Sequence, residues 1–251
     1  MENSTMRSLA AGNEIIDYCL ERKVVKNLNL RIRKDGKVFV SANPEVPIDE
    51  IEKFVCSKSE YILSSIKKFD EMEKCRPQPK QYVSGESFYI QGRALRLQVI
   101  KGNRESIKTD GIYIYLEVKD PDSFERKHRL VSRFLNQQCK LVFGEVINEL
   151  YPTFKKYGVE QPILRIRDME TRWGSCLVKK GIITLNKRLL EAPRNCIEYV
   201  VMHELCHFIQ PNHSKHFYTF LTMLMPDWKE RKNLLEKTVC IGCEFDPSFD
   251  P

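Results

Sequence analysis

The chain has 251 residues, 42% hydrophobic and 30% charged, the balance of an ordinary soluble globular protein long enough to bury a sizeable core. No stretch approaches the roughly 20 apolar residues of a membrane span, so no membrane partner is expected. The formal net charge of +7 is modest, and its densest part sets Arg22, Lys23, Lys26, Arg31, Arg33, Lys34 and Lys37 against only Asp35. Such a run reads as a solvated strand face, and nucleic-acid binding is not indicated by it.

The first residues carry acids and no apolar core segment, so they are not read as a signal peptide, and residues 1–21 are expected as a tail. Nine cysteines run from Cys19 to Cys243 without framework spacing, which predicts thiols in a reducing cytoplasm. Leu28, Leu30 and Ile32, then Val38, Phe39 and Val40, flank Lys34-Asp35-Gly36-Lys37 and predict a hairpin closed by Asp-Gly. A helix follows over 48–69, with Ile51, Phe54, Val55, Ile62 and Ile66 as its apolar stripe. Pro77 and Pro79 mark residues 74–80 as a linker, and short strands are expected over 87–90, 95–100 and 112–118.

From Phe124 the pattern turns helical, with Leu130, Phe134, Leu135, Val142, Phe143, Val146, Ile147 and Leu150 at three- and four-residue steps until Tyr151-Pro152. Two short strands are expected at 163–167 and 182–185, with Arg172-Trp173-Gly174-Ser175-Cys176 between them. Pro193 opens a helix, residues 217–225 form another, and Asp227 with Glu230 resembles a capping box for a last helix through Lys237. No internal repeat is visible. The fold class is therefore α+β: a tail over 1–21, a β-rich region with one helix over 22–123, a second domain over 124–237, and a tail over 238–251.

Four of the five histidines, His203, His207, His213 and His216, fall within fourteen residues. The first two frame His203-Glu204-Leu205-Cys206-His207, an H-E-x-x-H arrangement that puts two imidazoles one helical turn apart with a carboxylate beside them. Ile197, Val200, Val201, Leu205 and Phe208 form one face of that helix, and Tyr199, Met202 and Cys206 make it apolar almost all round, so it is expected to be buried. Two buried imidazoles stacked at i, i+4 are better satisfied by a metal than by each other. Pro211-Asn212 lets the chain turn back and present His213 as third ligand; His216 competes, but is expected on the following helix. Three neutral imidazoles leave a zinc position open for water, which Glu204 would deprotonate for attack on a carbonyl or phosphorus.

Met169 to Cys176, Ile183-Thr184-Leu185-Asn186, Tyr199 to His207 and Pro211-Asn212-His213-Ser214 with Phe217 together resemble the YgjP-like metallopeptidase domain, a relative of the SprT-like and WLM zinc proteases. Lys34 to Val38, Ile51 to Val55 and Gly85-Glu86 extend the resemblance to roughly residues 22–237. It implies a zincin-like domain with zinc on His203, His207 and His213 and with Glu204 catalytic. The family usually has Trp where this chain has Tyr218, a change expected to touch packing only. A branch of the family is assigned as a nucleoside triphosphate pyrophosphatase, so the resemblance fixes the metal chemistry better than the substrate.

Two readings stand open for Arg172, Trp173, Gly174 and Ser175: a strand edge that binds substrate, or a tight turn with a buried Trp. Asn186 reads either as a residue holding the metal-bearing helix or as a turn asparagine. Cys206 is expected to pack, and Cys240 and Cys243 form a lone C-x-x-C read as a tail feature. The expected protein is thus a cytoplasmic zinc-dependent peptidase acting on peptide or protein. Its rivals are a pyrophosphatase using Arg172, Lys187 and Arg188 for phosphates, and a non-catalytic binding module with a structural metal.

Overall fold

A computed structural model describes residues 4–11, 14–33, 35–74, 79–169 and 172–239; Lys34, Cys240 and Cys243 lie outside them. The chain divides into two compact units, Met1–Pro77 and Gln78–Pro251.

In the first unit β1 (Ser4–Ala11) and β2 (Glu14–Arg22) pair antiparallel, so residues expected as a tail form a hairpin. The alternation of Ile16, Tyr18 and Leu20 is the reason: all three turn inward and are buried. β3 (Asn29–Ile32) and β4 (Val38–Ala42) form the expected second hairpin, and β2 runs parallel to β4, which gives the order β1-β2-β4-β3. The helix expected over 48–69 is broken into α1 (Ile48–Ser57) and α2 (Ser59–Lys74) at Lys58. Ser57 Oγ donates to Phe54 O at 2.7 Å beside the break. Ile51, Val55 and Ile62 still meet the sheet core of Tyr18, Leu20, Val38 and Val40. The basic run is largely consumed locally: Arg22 donates to Asn43 O and Val46 O, Lys23 and Arg31 pair with Glu21, and Arg33 lies over the Phe39 ring.

The second unit opens with β5 (Ser87–Ile90), β6 (Arg93–Lys101), β7 (Ser106–Thr109) and β8 (Tyr113–Val118) in the order β5-β6-β8-β7. Directions alternate as in the first unit, antiparallel, parallel, antiparallel, so two sheets share one topology without a visible sequence repeat. Gln91 and Gly92 both adopt positive φ in the two-residue β5–β6 turn, as a hairpin of that length requires. Their N–H groups donate to Leu190 O and Glu191 O, and Gly92 sits against Pro193, which caps the helix that carries the histidines.

α3 (Phe124–Leu150) packs on this sheet through Leu130, Val131 and Phe134, in one core with Leu97, Ile114, Leu116 and Val118. The boundary expected at residue 123 therefore falls inside a unit, because helix and sheet each need the other to bury an apolar face. After α4 (Pro152–Lys155) comes a three-stranded sheet of β9 (Ile163–Arg167), β10 (Gly174–Leu177) and β11 (Ile182–Asn186). β11 is central and buried throughout, parallel to β9 and antiparallel to β10, and β10 stands at the edge. The last helices are α5 (Arg194–Cys206), α6 (Lys215–Leu224) and α7 (Trp228–Thr238). The expected Asp227 cap does not form; its carboxylate accepts from Arg231 Nε at 2.8 Å instead. No described helix is long and apolar enough to cross a membrane.

Candidate metal centre

α5 is buried on nearly every side, with Ile197, Val200, Val201, Leu205 and Cys206 fully enclosed. Ion pairs hold it: Arg194 reaches Glu149 at 2.6 Å from α5 to α3, and Arg231 of α7 reaches Glu198 at 2.6 Å. Over its last turn His203 and Glu204 are buried and His207 is half-buried. Pro211 prevents continuation, Ser214 N–H donates to Asn212 O, and the Ser214 side chain caps α6 at Phe217 N. This turn brings His213 back over α5, while His216 points out as an exposed residue of α6.

The result is a cluster of His203, His207 and His213 whose ligand nitrogens all lie within 4.8 Å of one another. His203 Nε2 and His213 Nε2 are 2.9 Å apart. His207 Nδ1 is 3.2 Å from Gln210 O; donation there leaves Nε2 as the lone-pair nitrogen, the usual arrangement of a ligating histidine. Burial holds His203 well below the ordinary imidazole range, with His207 and His213 adding to the effect. Burial, then His213, lowers His207 to about 4, partly opposed by the Gln210 and Pro211 backbone. Neutral imidazoles are what a zinc ion requires, and zinc prefers near-tetrahedral nitrogen ligation with N–N separations of about 3.3 Å.

Glu204 faces β10. Burial pushes its carboxyl up to about 8 against the pull of the Arg172 guanidinium, and its Oε2 is buried without a hydrogen-bond partner among the described residues. A Cβ at Gly174 would lie 2.5 Å from Glu204 Oε1, so the glycine makes room for the carboxyl. In the 172–175 segment Trp173 is buried, and Gly174 and Ser175 begin an edge strand. Arg172 is exposed. Asn186 bonds the 169–172 segment through Nδ2 and, as the turn reading expected, accepts from Arg188 N two residues on through Oδ1.

Sequence reasoning passed over the aromatic bed. Phe217 is fully buried with its ring 4.9, 4.8 and 4.9 Å from the rings of His203, His207 and His213. Tyr218 stacks between His213 and Trp228, and Tyr199 lies against Trp228 and edge-on to His203. The spacing of Phe217 from Ser214 was a visible signal for its place in the first turn of α6, but not for what the ring touches. Cys206 packs as expected, its thiol pushed up to about 12 by burial. Of the cations expected to hold phosphates, Lys187 pairs with Asp168 at 2.9 Å and Arg188 with Glu191 at 3.3 Å.

No curated protein matches the chain. Among solved structures it is similar to the metallopeptidase zymogen abylysin of Pyrococcus abyssi, at 20% identity and TM-score 0.36, covering 41% of this chain and 99% of that one. It is also similar to the zymogen jannalysin of Methanocaldococcus jannaschii, at 22% identity and TM-score 0.33, covering 39% and 97%. A family model, the YgjP-like metallopeptidase domain, matches residues 26–238, which include the β3–β4 hairpin of the first unit and every residue of the histidine cluster; the chain belongs to the YgjP-like metallopeptidase domain family.

Proposed function

We propose that this protein is a zinc-dependent peptidase of zincin-like design, with zinc on His203, His207 and His213 and Glu204 as its general base. The observation that carries the reading is the buried Glu204 carboxyl, with an oxygen left without a partner beside three converging imidazoles. A structural metal site has no use for such a group, since a buried carboxyl without hydrogen bonds is costly. Bound zinc would supply Lewis acidity, lowering the pKa of water and taking up charge as it develops on the scissile carbonyl.

Glu204 accepts a proton from the attacking water and returns it to the leaving amide nitrogen. The free edge of β10 offers backbone groups to an extended peptide, and Arg172, Trp173, Gly174 and Ser175 form the substrate-binding segment. The pairing of Lys187 and Arg188 with carboxylates favours a peptide over a nucleoside triphosphate. The scattered cysteines keep the cytoplasm as the proposed compartment.

The purified protein is expected to carry about one zinc per chain and His203→Ala far less, as metal analysis would show, because three ligands set the site. Zinc-loaded protein offered a mixed peptide library and nucleoside triphosphates in parallel is expected to cleave peptides; release of pyrophosphate alone would overturn the peptidase reading. Gly174→Ala is expected to lower peptidase activity on the order of 10²-fold with zinc retained, since its Cβ displaces the Glu204 carboxyl. Unchanged kinetics in that variant would mean the carboxyl works from a different position.

A further inference from the structure

We infer that Asn186 is a positioning residue for Arg172, and through it for substrate held at the β10 edge; the inference rests on the peptidase reading above. Asn186 is the last residue of β11 and is fully buried. Its Nδ2 donates to Met169 O at 2.7 Å and to Arg172 O at 2.9 Å, seventeen and fourteen residues back in the chain. Its backbone N–H donates to Trp173 O at 2.9 Å, and its Oδ1 accepts from Arg188 N at 3.2 Å.

One residue thereby holds the carbonyls of residues 169, 172 and 173, where the chain passes from β9 to β10. The residues it holds are those next to the candidate centre: Arg172 is close enough to act on the Glu204 carboxyl, and Trp173 is followed by the glycine that accommodates it. A turn asparagine bonds its own neighbours; this one does so through Oδ1 and in addition bonds a distant segment through Nδ2 from inside the core.

The chemistry selects the residue type. A single nitrogen must donate twice while the same planar group accepts once, which Asp, Ser and Thr do not provide and Gln provides only one methylene further out. The position is set by β11, which is paired on both sides and so fixes the Asn186 Cα. Without the two donations, the Met169 and Arg172 carbonyls lose their side-chain partner and the Arg172 backbone is free to drift along the strand edge.

The test compares Asn186→Ser, Arg172→Ala and the double variant in zinc-loaded protein, with a mixed quenched-fluorescence peptide library as substrate. Asn186→Asp, which keeps the volume and the acceptor for Arg188 N, replaces the serine variant if that fails to fold. Asn186→Ser is expected to lower kcat/KM at least tenfold, mainly through KM, with zinc content unchanged, and to add less than twofold when Arg172 is already alanine. Independent, multiplying effects of the two substitutions, or loss of zinc together with activity, would make Asn186 a general scaffold residue and overturn the inference. Binding of the labelled peptides is measured separately in the Glu204→Gln background by fluorescence anisotropy, where Asn186→Ser is expected to weaken it at least fivefold. If the wild type cleaves nothing, the peptidase reading fails on the rate measurement alone. If it cleaves and binding is indifferent to Asn186, only this inference fails.

Discussion

Glu204→Gln is expected to reduce peptide hydrolysis by about 10²–10⁴-fold while zinc content stays at the wild-type level. Glutamine keeps the shape of the side chain against β10 but has no carboxylate to take a proton. The carboxyl is not one of the three clustered imidazoles, so its replacement leaves the ligand set intact. The folded protein is expected to tolerate the change, because burial already pushes Glu204 up to about 8 and the neutral form is the one the apolar surroundings prefer. A cation held by the neighbouring histidines would favour the charged form, which is how the same residue becomes a base at neutral pH. Activity within threefold of wild type, at equal zinc content, would remove Glu204 from the mechanism. Loss of zinc in the variant would instead make the carboxyl part of the metal site.

Phe217→Ala is expected to cost roughly 3–5 kcal/mol of stability, the range for emptying a fully buried aromatic position. Its ring is in contact with all three imidazoles, so the cavity opens beneath the histidine cluster rather than elsewhere in the core. Zinc affinity is expected to fall along with the urea midpoint, whereas Phe217→Leu, which keeps an apolar floor, is expected to retain the metal with a smaller loss of stability. Chemical denaturation with and without zinc, together with a competition titration against a chelator, reads both effects. Full zinc affinity in a destabilised Phe217→Ala protein would show that the backbone of α5 and the Pro211 turn position the ligands without help from the ring.

Much of this was written locally. The i, i+4 spacing of His203 and His207, the apolar circumference of their helix and the Pro-Asn break ahead of His213 are short-range features, and helix geometry turns them directly into a shared face and a return of the chain. The long α3 was legible for the same reason: its apolar steps match the helical period over many turns. Strand edges, by contrast, were blurred. β1 and β2 went unseen because only Ile16, Tyr18 and Leu20 alternate while exposed Met6 and Ile15 obscure the pattern. The single helix expected over 48–69 is interrupted at Lys58, a break that the apolar periodicity does not register.

The sequence by itself determined the imidazoles, their helical spacing and the presence of a carboxyl beside them, because these depend on residues within a few positions of one another. Only the tertiary structure decided that Gly174 yields its side-chain space to the Glu204 carboxyl, that Phe217 underlies all three imidazoles and that Asn186 grips a segment fourteen to seventeen residues away. These are contacts between elements far apart in the chain, set by how the sheet of β9, β10 and β11 meets α5 and α6, and no local pattern of residues encodes such a meeting.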